Sequence, residues 1–327
     1  MGESSMREGD SLDMRLARIR DLINAPRKQH RLLRDTAKWS QLCSALDAIA
    51  DAGWAISAHG NLRRSENIDS GFIYLAHYGL VQALYLQQNA LGHLCEALGF
   101  SEVGRQSRDA LRMVRGVRND VAHLTDRGHG EDKDCLGIVR ASMSVDCFEV
   151  YSFSLLGVSR RKVLCMELAE TQHGVIVAVL DEIISALQEE VRLHRDKFKH
   201  VSLVGLLGGL DYHLSKVAVA ISAMTRGEPW SGSEDVFALA SLDAIERNVE
   251  ALVESLRERG EYPGVYRHID EAESLARRVI ERLRKVLKDG ASAVTDLIDA
   301  EGLVLLLGKQ LVCVRDFAVD LDQSYSS

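Results

Sequence analysis

Proline is scarce in this chain, three residues in 327, and aromatic side chains make up only 6% of it. With helix-breaking residues so few and Leu, Ala, Val, Glu and Arg abundant, the composition favours a mostly helical protein. Paired cysteines are missing as well: Cys43, Cys95, Cys135, Cys147, Cys165 and Cys313 are scattered and form no C-x-x-C pair. That pattern argues against a disulfide scaffold or a zinc module and reads as a reduced, cytoplasmic chain. The polar, acidic start Met1-Gly2-Glu3-Ser4-Ser5-Met6 contains no hydrophobic signal region, and Met6 stands where a myristoylation signal wants Ser or Thr. Apolar runs such as 174–180 and 303–307 are far too short to span a bilayer, so a soluble protein with no membrane contact is expected.

An excess of positive charge is also lacking. The net charge of −8 argues against a protein that coats nucleic acid. The charge is uneven, however: residues 1–135 carry 18 basic and 18 acidic side chains, whereas residues 136–327 carry 22 and 30. Any nucleic-acid contact is therefore expected in the first part, as a local patch rather than a broad basic surface.

The chain is long enough for two domains, or for one with a large appendage. Residues 1–30 read as a loosely held leader with one short helix ending near Pro26. Residues 31–58 place Leu42, Leu46 and Ile49 at helical spacing, and the pair Gly60-Asn61 ends that run. A long helix is expected over 70–98; Gly99-Phe100-Ser101 then breaks it, with Ser101 as the N-cap of another helix running to about residue 123. These two helices predict an antiparallel hairpin, and 31–135 together a helical domain. The polar loop 127–134 marks a boundary. After it, 136–169 reads as a small antiparallel β meander with strands over 138–145, 147–153 and 162–168. Residues 170–327 read as a helical C-terminal domain, including a helix over 204–225. The expected fold class is thus mainly α: an N-terminal helical bundle, a small β meander, then a long-helix region.

The helix over 101–123 carries the chemistry. At 100° per residue, Arg105, Arg108, Arg112, Arg115, Asn119 and His123 fall within an arc of roughly 80°. Val103, Ala110, Met113, Val114, Val117 and Val121 occupy another face. The helix therefore presents an arginine stripe that ends in an amide and an imidazole. Arg118 projects about 140° from His123 on an ideal helix. The two meet around one substrate only through the long arginine side chain, a local bend, or a second copy of the helix. A guanidinium beside an imidazole suits RNA cleavage: the imidazole takes the proton of a ribose 2′-hydroxyl while the cation stabilises charge on the phosphate, with no metal or cofactor required. The same R-x-x-x-x-H spacing recurs at Arg195 and His200, but inside a densely charged run where solvated charge is the simplest account.

The run Val117-Arg118-Asn119-Asp120-Val121-Ala122-His123, preceded by the long helix around Tyr85-Leu86-Gln87-Gln88-Asn89-Ala90-Leu91, resembles the signature of HEPN domains. The resemblance covers residues 31 to about 125. It implies an α-helical bundle and a metal-independent endoribonuclease of a toxin or phage-defence context, acting as a homodimer whose two motifs face one another. It carries Arg118 and His123 over as the catalytic pair and Asn119 as their polar neighbour. His123 is followed by Leu124 and Thr125 rather than the x-Tyr of toxins controlled by nucleotidyltransferase partners, so that mode of control is not implied. In the expected reaction His123 deprotonates the 2′-hydroxyl, Arg118 with help from Arg115 stabilises the phosphorane, and a 2′,3′-cyclic phosphate is left. Arg108, Arg112 and Arg115 are the expected substrate-binding residues. RNA, a second copy of the chain and an antitoxin or regulatory protein are the expected partners. The alternative is a non-catalytic helical scaffold that holds RNA or a protein.

Other candidates carry less. His77 and His93 lie 16 residues apart on one helix and, with Tyr74, Tyr78 and Tyr85, read as structural. Glu190 and His194 have the spacing of a metal-binding pair but lack a matching partner pair. Gly205, Gly208 and Gly209 are followed by no Gly-Lys-Ser/Thr, which argues against a phosphate loop.

Overall fold

The structure, a computed structural model, describes residues 12–62, 68–122, 125–127, 134–154, 157–227, 232–289 and 294–326. The described elements are, in order, α1 (Leu12–Asn24), α2 (Pro26–Leu33), α3 (Thr36–Asn61), α4 (Ser70–Leu98), α5 (Ser101–Ala110) and α6 (Arg112–Ala122). Strands β1 (Thr125–Arg127), β2 (Asp134–Ile138), β3 (Cys147–Ser154) and β4 (Gly157–Leu164) follow. Then come α7 (Cys165–Phe198), α8 (Leu203–Leu206), α9 (Leu210–Thr225), α10 (Gly232–Glu258), α11 (Arg267–Asp289) and α12 (Val294–Ser326). The class is the expected one, mainly α with a small antiparallel sheet in the middle and long helices after it. Two compact units are formed, residues 1–188 and 189–327, divided inside α7. The change of pattern near residue 170 marks the passage from sheet to helix, while the first unit continues to residue 188.

In the first unit, Leu16, Ile19 and Ile23 recur on one face of α1 and are fully buried. They pack with Leu42, Leu46 and Ile49 of α3, Leu91 and Leu94 of α4, and Ile176, Leu180 and Ile183 of α7. Each such side chain contributes about 1.5–3 kcal/mol relative to exposure, so α1 is a wall of the core rather than a loose leader. Asp35 caps α3 by accepting from the Lys38 amide, and Asp69 caps α4 by accepting from Gly71 and Phe72. At the other end of α4, Gly99 takes φ 86°, a conformation costly for any residue with a Cβ, and the Phe100 amide donates to the Cys95 carbonyl. The residue at the α5 N-cap position is Phe100, which makes no side-chain cap; Ser101, the expected cap, is already helical.

Helix α4 and the α5–α6 pair run antiparallel, as expected: Gly104 lies against Cys95, Arg115 against Asn89 and Arg118 against Tyr85. The helix expected to be continuous over 101–123 is interrupted at Leu111, whose φ and ψ of −93° and 8° depart from the helical values on either side. Leu111 itself is buried, as are Val114, Val117 and Val121, which pack on Leu80, Val81 and Leu84 of α4.

The sheet has the order β1-β2-β3-β4, all neighbours antiparallel. Phe148 pairs with Val163 and Val150 with Arg161; Leu136, Phe148, Val150 and Val163 are buried, and the last three join the α4–α6 cluster. Two strands differ from expectation. In place of the one expected over 138–145 stands β2, which shares only Ile138 with it and gives way to a 3-10 turn at Arg140–Ser142; the one expected over 162–168 runs instead over 157–164, and β1 lies before the expected meander. Cys165, Leu168, Gln172 and Ile176 fall on a single buried helical face of α7, a spacing that a four-residue window does not distinguish from strand alternation.

The second unit is built from the end of α7 and α8–α12 around Leu242, Ile245, Leu252, Ile280, Leu283 and Leu307. The helix expected over 204–225 is split into α8 and α9 at Gly209, with φ 78°. Arg259, only 1% exposed, donates to the Val201 carbonyl and stacks on Tyr325, while Tyr325 in turn donates to Glu261. Among the described residues, no helix is long and apolar enough to cross a membrane.

Candidate functional site

The exposed side of α6 is where the arginine chemistry gathers. Because Val114, Val117 and Val121 turn inward, Arg115, Arg118 and Asn119 are left at the half-buried margin beside α4. The Arg118 guanidinium lies 4.2 Å from the centre of the Tyr85 ring, and that of Arg115 lies 5.4 Å from the same ring. Arg115 Nη2 donates to Asn89 Oδ1 at 2.8 Å, and Arg118 Nη1 donates to Asn119 Oδ1 at 3.3 Å. Tyr85 and Asn89 are one turn apart on α4, and Arg115 and Arg118 are three residues apart on α6, so each pair shares a helix face. The hydrogen bond with Asn89 lowers the pKa of the Tyr85 phenol; partial burial opposes this, and the positive charges of Arg118 and Arg115 reinforce it.

The other arginines of the stripe divide. Arg105 is bound to Glu102 and Arg112 to Asp109, each at 2.7 Å across three residues of exposed helix. Such pairs are worth little energetically but occupy the cation. Arg108 instead joins Arg115, Asn89, His93 and Glu96 around a cleft of about 100 Å³ between α4 and the α5–α6 pair. Of the six-residue stripe expected from helical spacing, Arg108, Arg115 and Asn119 therefore line this margin, where Arg118, expected off the stripe, joins them at Tyr85, while Arg105 and Arg112 are held in surface ion pairs. His123 lies outside the described residues.

Asp120, adjacent to Asn119 but on the inner side, is buried and accepts from Arg161 of β4 at 2.6 Å. That pair ties the sheet to α6 and brings the exposed run Arg160-Arg161-Lys162 into the same unit as the cluster. Sequence reasoning does not reach Arg161 or Asn89, and it assigns Tyr85 to packing. Their spacing to α6 in the chain carries no signal; only the antiparallel contact of α4 with α6 and the pairing of β3 with β4 bring them there.

Around the Tyr85 ring, the guanidinium groups of Arg115 and Arg118 and the amides of Asn89 and Asn119 share one surface. This arrangement suits an anion flanked by a planar group, as in a nucleotide: guanidinium forks bind phosphate, and an aromatic ring or an arginine plane stacks on a base. The chain matches no protein-family model, no curated protein and no solved structure.

Proposed function

We propose that the first unit carries a HEPN-type, metal-independent endoribonuclease site. The single observation that supports this most is the convergence of Arg115 and Arg118 on Tyr85, beside Asn119, which stands four residues before His123 in the chain. In this reading His123 removes the proton of the ribose 2′-hydroxyl, the 2′-oxygen attacks the adjacent phosphorus, and the 5′-oxygen of the next nucleotide leaves with a proton returned by imidazolium or water. Arg118 and Arg115 neutralise the charge that builds on the non-bridging oxygens, and Asn119 orients Arg118. A homodimer supplies the second motif across a shared phosphate cleft. The cellular setting in this reading is a cytoplasmic toxin or defence system restrained by an antitoxin or regulatory protein.

A second reading is favoured by the same tyrosine. Stacked guanidinium planes beside an aromatic ring form a platform for single-stranded RNA even without cleavage. Incubating labelled RNA with purified protein in EDTA separates the two. Cleavage that leaves 2′,3′-cyclic phosphate ends, and that is lost in His123→Ala, supports the nuclease; RNA retention with intact strands in both proteins supports the platform.

A further inference from the structure

Away from that surface, three ligand-type side chains meet inside the first unit. His59 comes from the last turns of α3, His77 from α4, and Cys165 is the first residue of α7; all three are buried, His77 completely. His59 Nε2 lies 3.3 Å from His77 Nδ1, and Cys165 Sγ lies 3.5 Å from the same nitrogen. The three donor atoms all fall within 4.8 Å of one another. We propose that His59, His77 and Cys165 form a buried Zn²⁺ site.

The spacing carries the proposal first. A tetrahedral zinc ion with Zn–N of about 2.0–2.1 Å and Zn–S of about 2.3 Å holds neighbouring nitrogens roughly 3.3 Å apart and nitrogen from sulfur about 3.6 Å apart. The two separations from His77 Nδ1 are 3.3 Å and 3.5 Å, and the third, between His59 and Cys165, lies within 4.8 Å.

The orientation of His77 carries it second. His77 Nε2 is 2.8 Å from the Ser144 carbonyl oxygen, which only accepts, so Nε2 bears the hydrogen and Nδ1 turns its lone pair toward His59 and Cys165. A ligand imidazole whose other nitrogen is fixed by a backbone carbonyl is the usual support of a zinc-bound histidine.

The surroundings agree. Phe148 lies against the His77 ring at 4.9 Å, and Cys165 belongs to the apolar cluster of Val117, Val121, Val150 and Val163, which keeps solvent away. Cys165 stands at the N-terminus of a long helix, where the positive end of the dipole suits a thiolate ligand. Two imidazoles and a thiolate select Zn²⁺ over Mg²⁺ or Ca²⁺, which prefer oxygen. Binding sends the thiol proton to solvent and leaves one position of the tetrahedron to water. The ion would join α3, α4 and α7 at one point. The zinc site stands independently of the ribonuclease reading.

The test uses the full chain, expressed with zinc supplementation and passed through gel filtration. Elemental analysis is expected to find about one zinc per chain, with Cys165→Ser and His77→Gln retaining at most about a tenth of it. Adding Co²⁺ alone to the metal-free wild type is expected to give a thiolate-to-cobalt charge-transfer band that Cys165→Ser lacks. Zinc-edge X-ray absorption of the wild type, which needs no variant to fold, is expected to find sulfur and imidazole nitrogen in the first shell. A wild type that retains no zinc and gives no charge-transfer band overturns the proposal, as does a first shell without sulfur or a band that survives Cys165→Ser in a folded protein.

Discussion

Arg118 illustrates how much depends on one side chain. Its guanidinium lies over the Tyr85 ring and donates to Asn119, so its position is held before any ligand arrives. If it stabilises the phosphorane, Arg118→Ala is expected to slow RNA cleavage about 10²–10³-fold, the usual effect of removing one transition-state donor. The same change costs the fold only about 0.5–1 kcal/mol, the worth of an exposed cation–π contact. Arg118→Lys keeps the charge but loses the plane and the fork, so it is expected to resemble alanine in rate more than wild type. Steady-state cleavage beside thermal unfolding checks this; a lysine variant as active as wild type would show that charge alone matters there.

Cys95 shows the reverse, a reactive group silenced by packing. Burial, with the negative charge of Glu182 adding to it, pushes its thiol up to about 11. The neutral thiol is retained in the native state, so Cys95 is expected to resist iodoacetamide at pH 8–9 while exposed Cys135 reacts, as read by peptide mapping. The sign of the linkage follows. The unfolded thiol loses its proton near its ordinary value of 9.0, before the folded one does. This group's share of stability is therefore complete below pH 9 and declines as pH rises toward 11.

At the scale of elements, buried polar contacts decide how helices join. Gln172 of α7 donates to the Leu84 carbonyl and to Gln87, and accepts from Gln88, while Gln87 donates to the Ile49 carbonyl. All three glutamines are buried, so the network binds α3, α4 and α7 only while every member is present. Gln172→Ala is expected to destabilise the chain by about 2–4 kcal/mol, since it leaves the Gln87 and Gln88 amides and the Leu84 carbonyl each short of a hydrogen bond and opens a cavity; chemical denaturation measures it. Gly104 has a different role. A Cβ there would lie 2.9 Å from the Cys95 Cβ, which is buried and unable to yield. Gly104→Ala is therefore expected to lower stability by about 1–3 kcal/mol, although alanine is the better helix former.

Sequence periodicity locates α3 and α4 and the helical character of 170–327 because apolar residues repeat there over several turns. It fails at Leu111 and Gly209, where a single residue interrupts a run without altering its hydrophobic pattern. It fails also at 162–168, where a short apolar stretch fits strand and helix equally.

For the whole molecule, two units with separate apolar cores imply separable stability. Leu283→Ala, at a fully buried position of the second unit, is expected to cost about 2–5 kcal/mol. Hydrogen exchange followed by mass spectrometry should quicken in peptides of 189–327 and stay unchanged in α3 and α4. Acceleration throughout would show that the chain unfolds as one body. Charge is the other property of the whole. With a net charge of −8, the RNA binding proposed above would rest on a few local cations, so on that proposal Arg115→Ala is expected to reduce the salt slope of RNA affinity by about 0.7, measurable by titration at several salt concentrations.

Composition and periodicity by themselves determined the helical class, the long helices and the arginine-rich run ending in Arg118-Asn119, because those properties are local and repeat along the chain. They could not reveal that Arg115 and Arg118 share the Tyr85 ring, that Asp120 turns inward to Arg161, or that His59, His77 and Cys165 meet. The partners in those contacts are 18 to 88 residues apart. Such meetings are set by which helix faces pack and in what register, and only the folded core decides that.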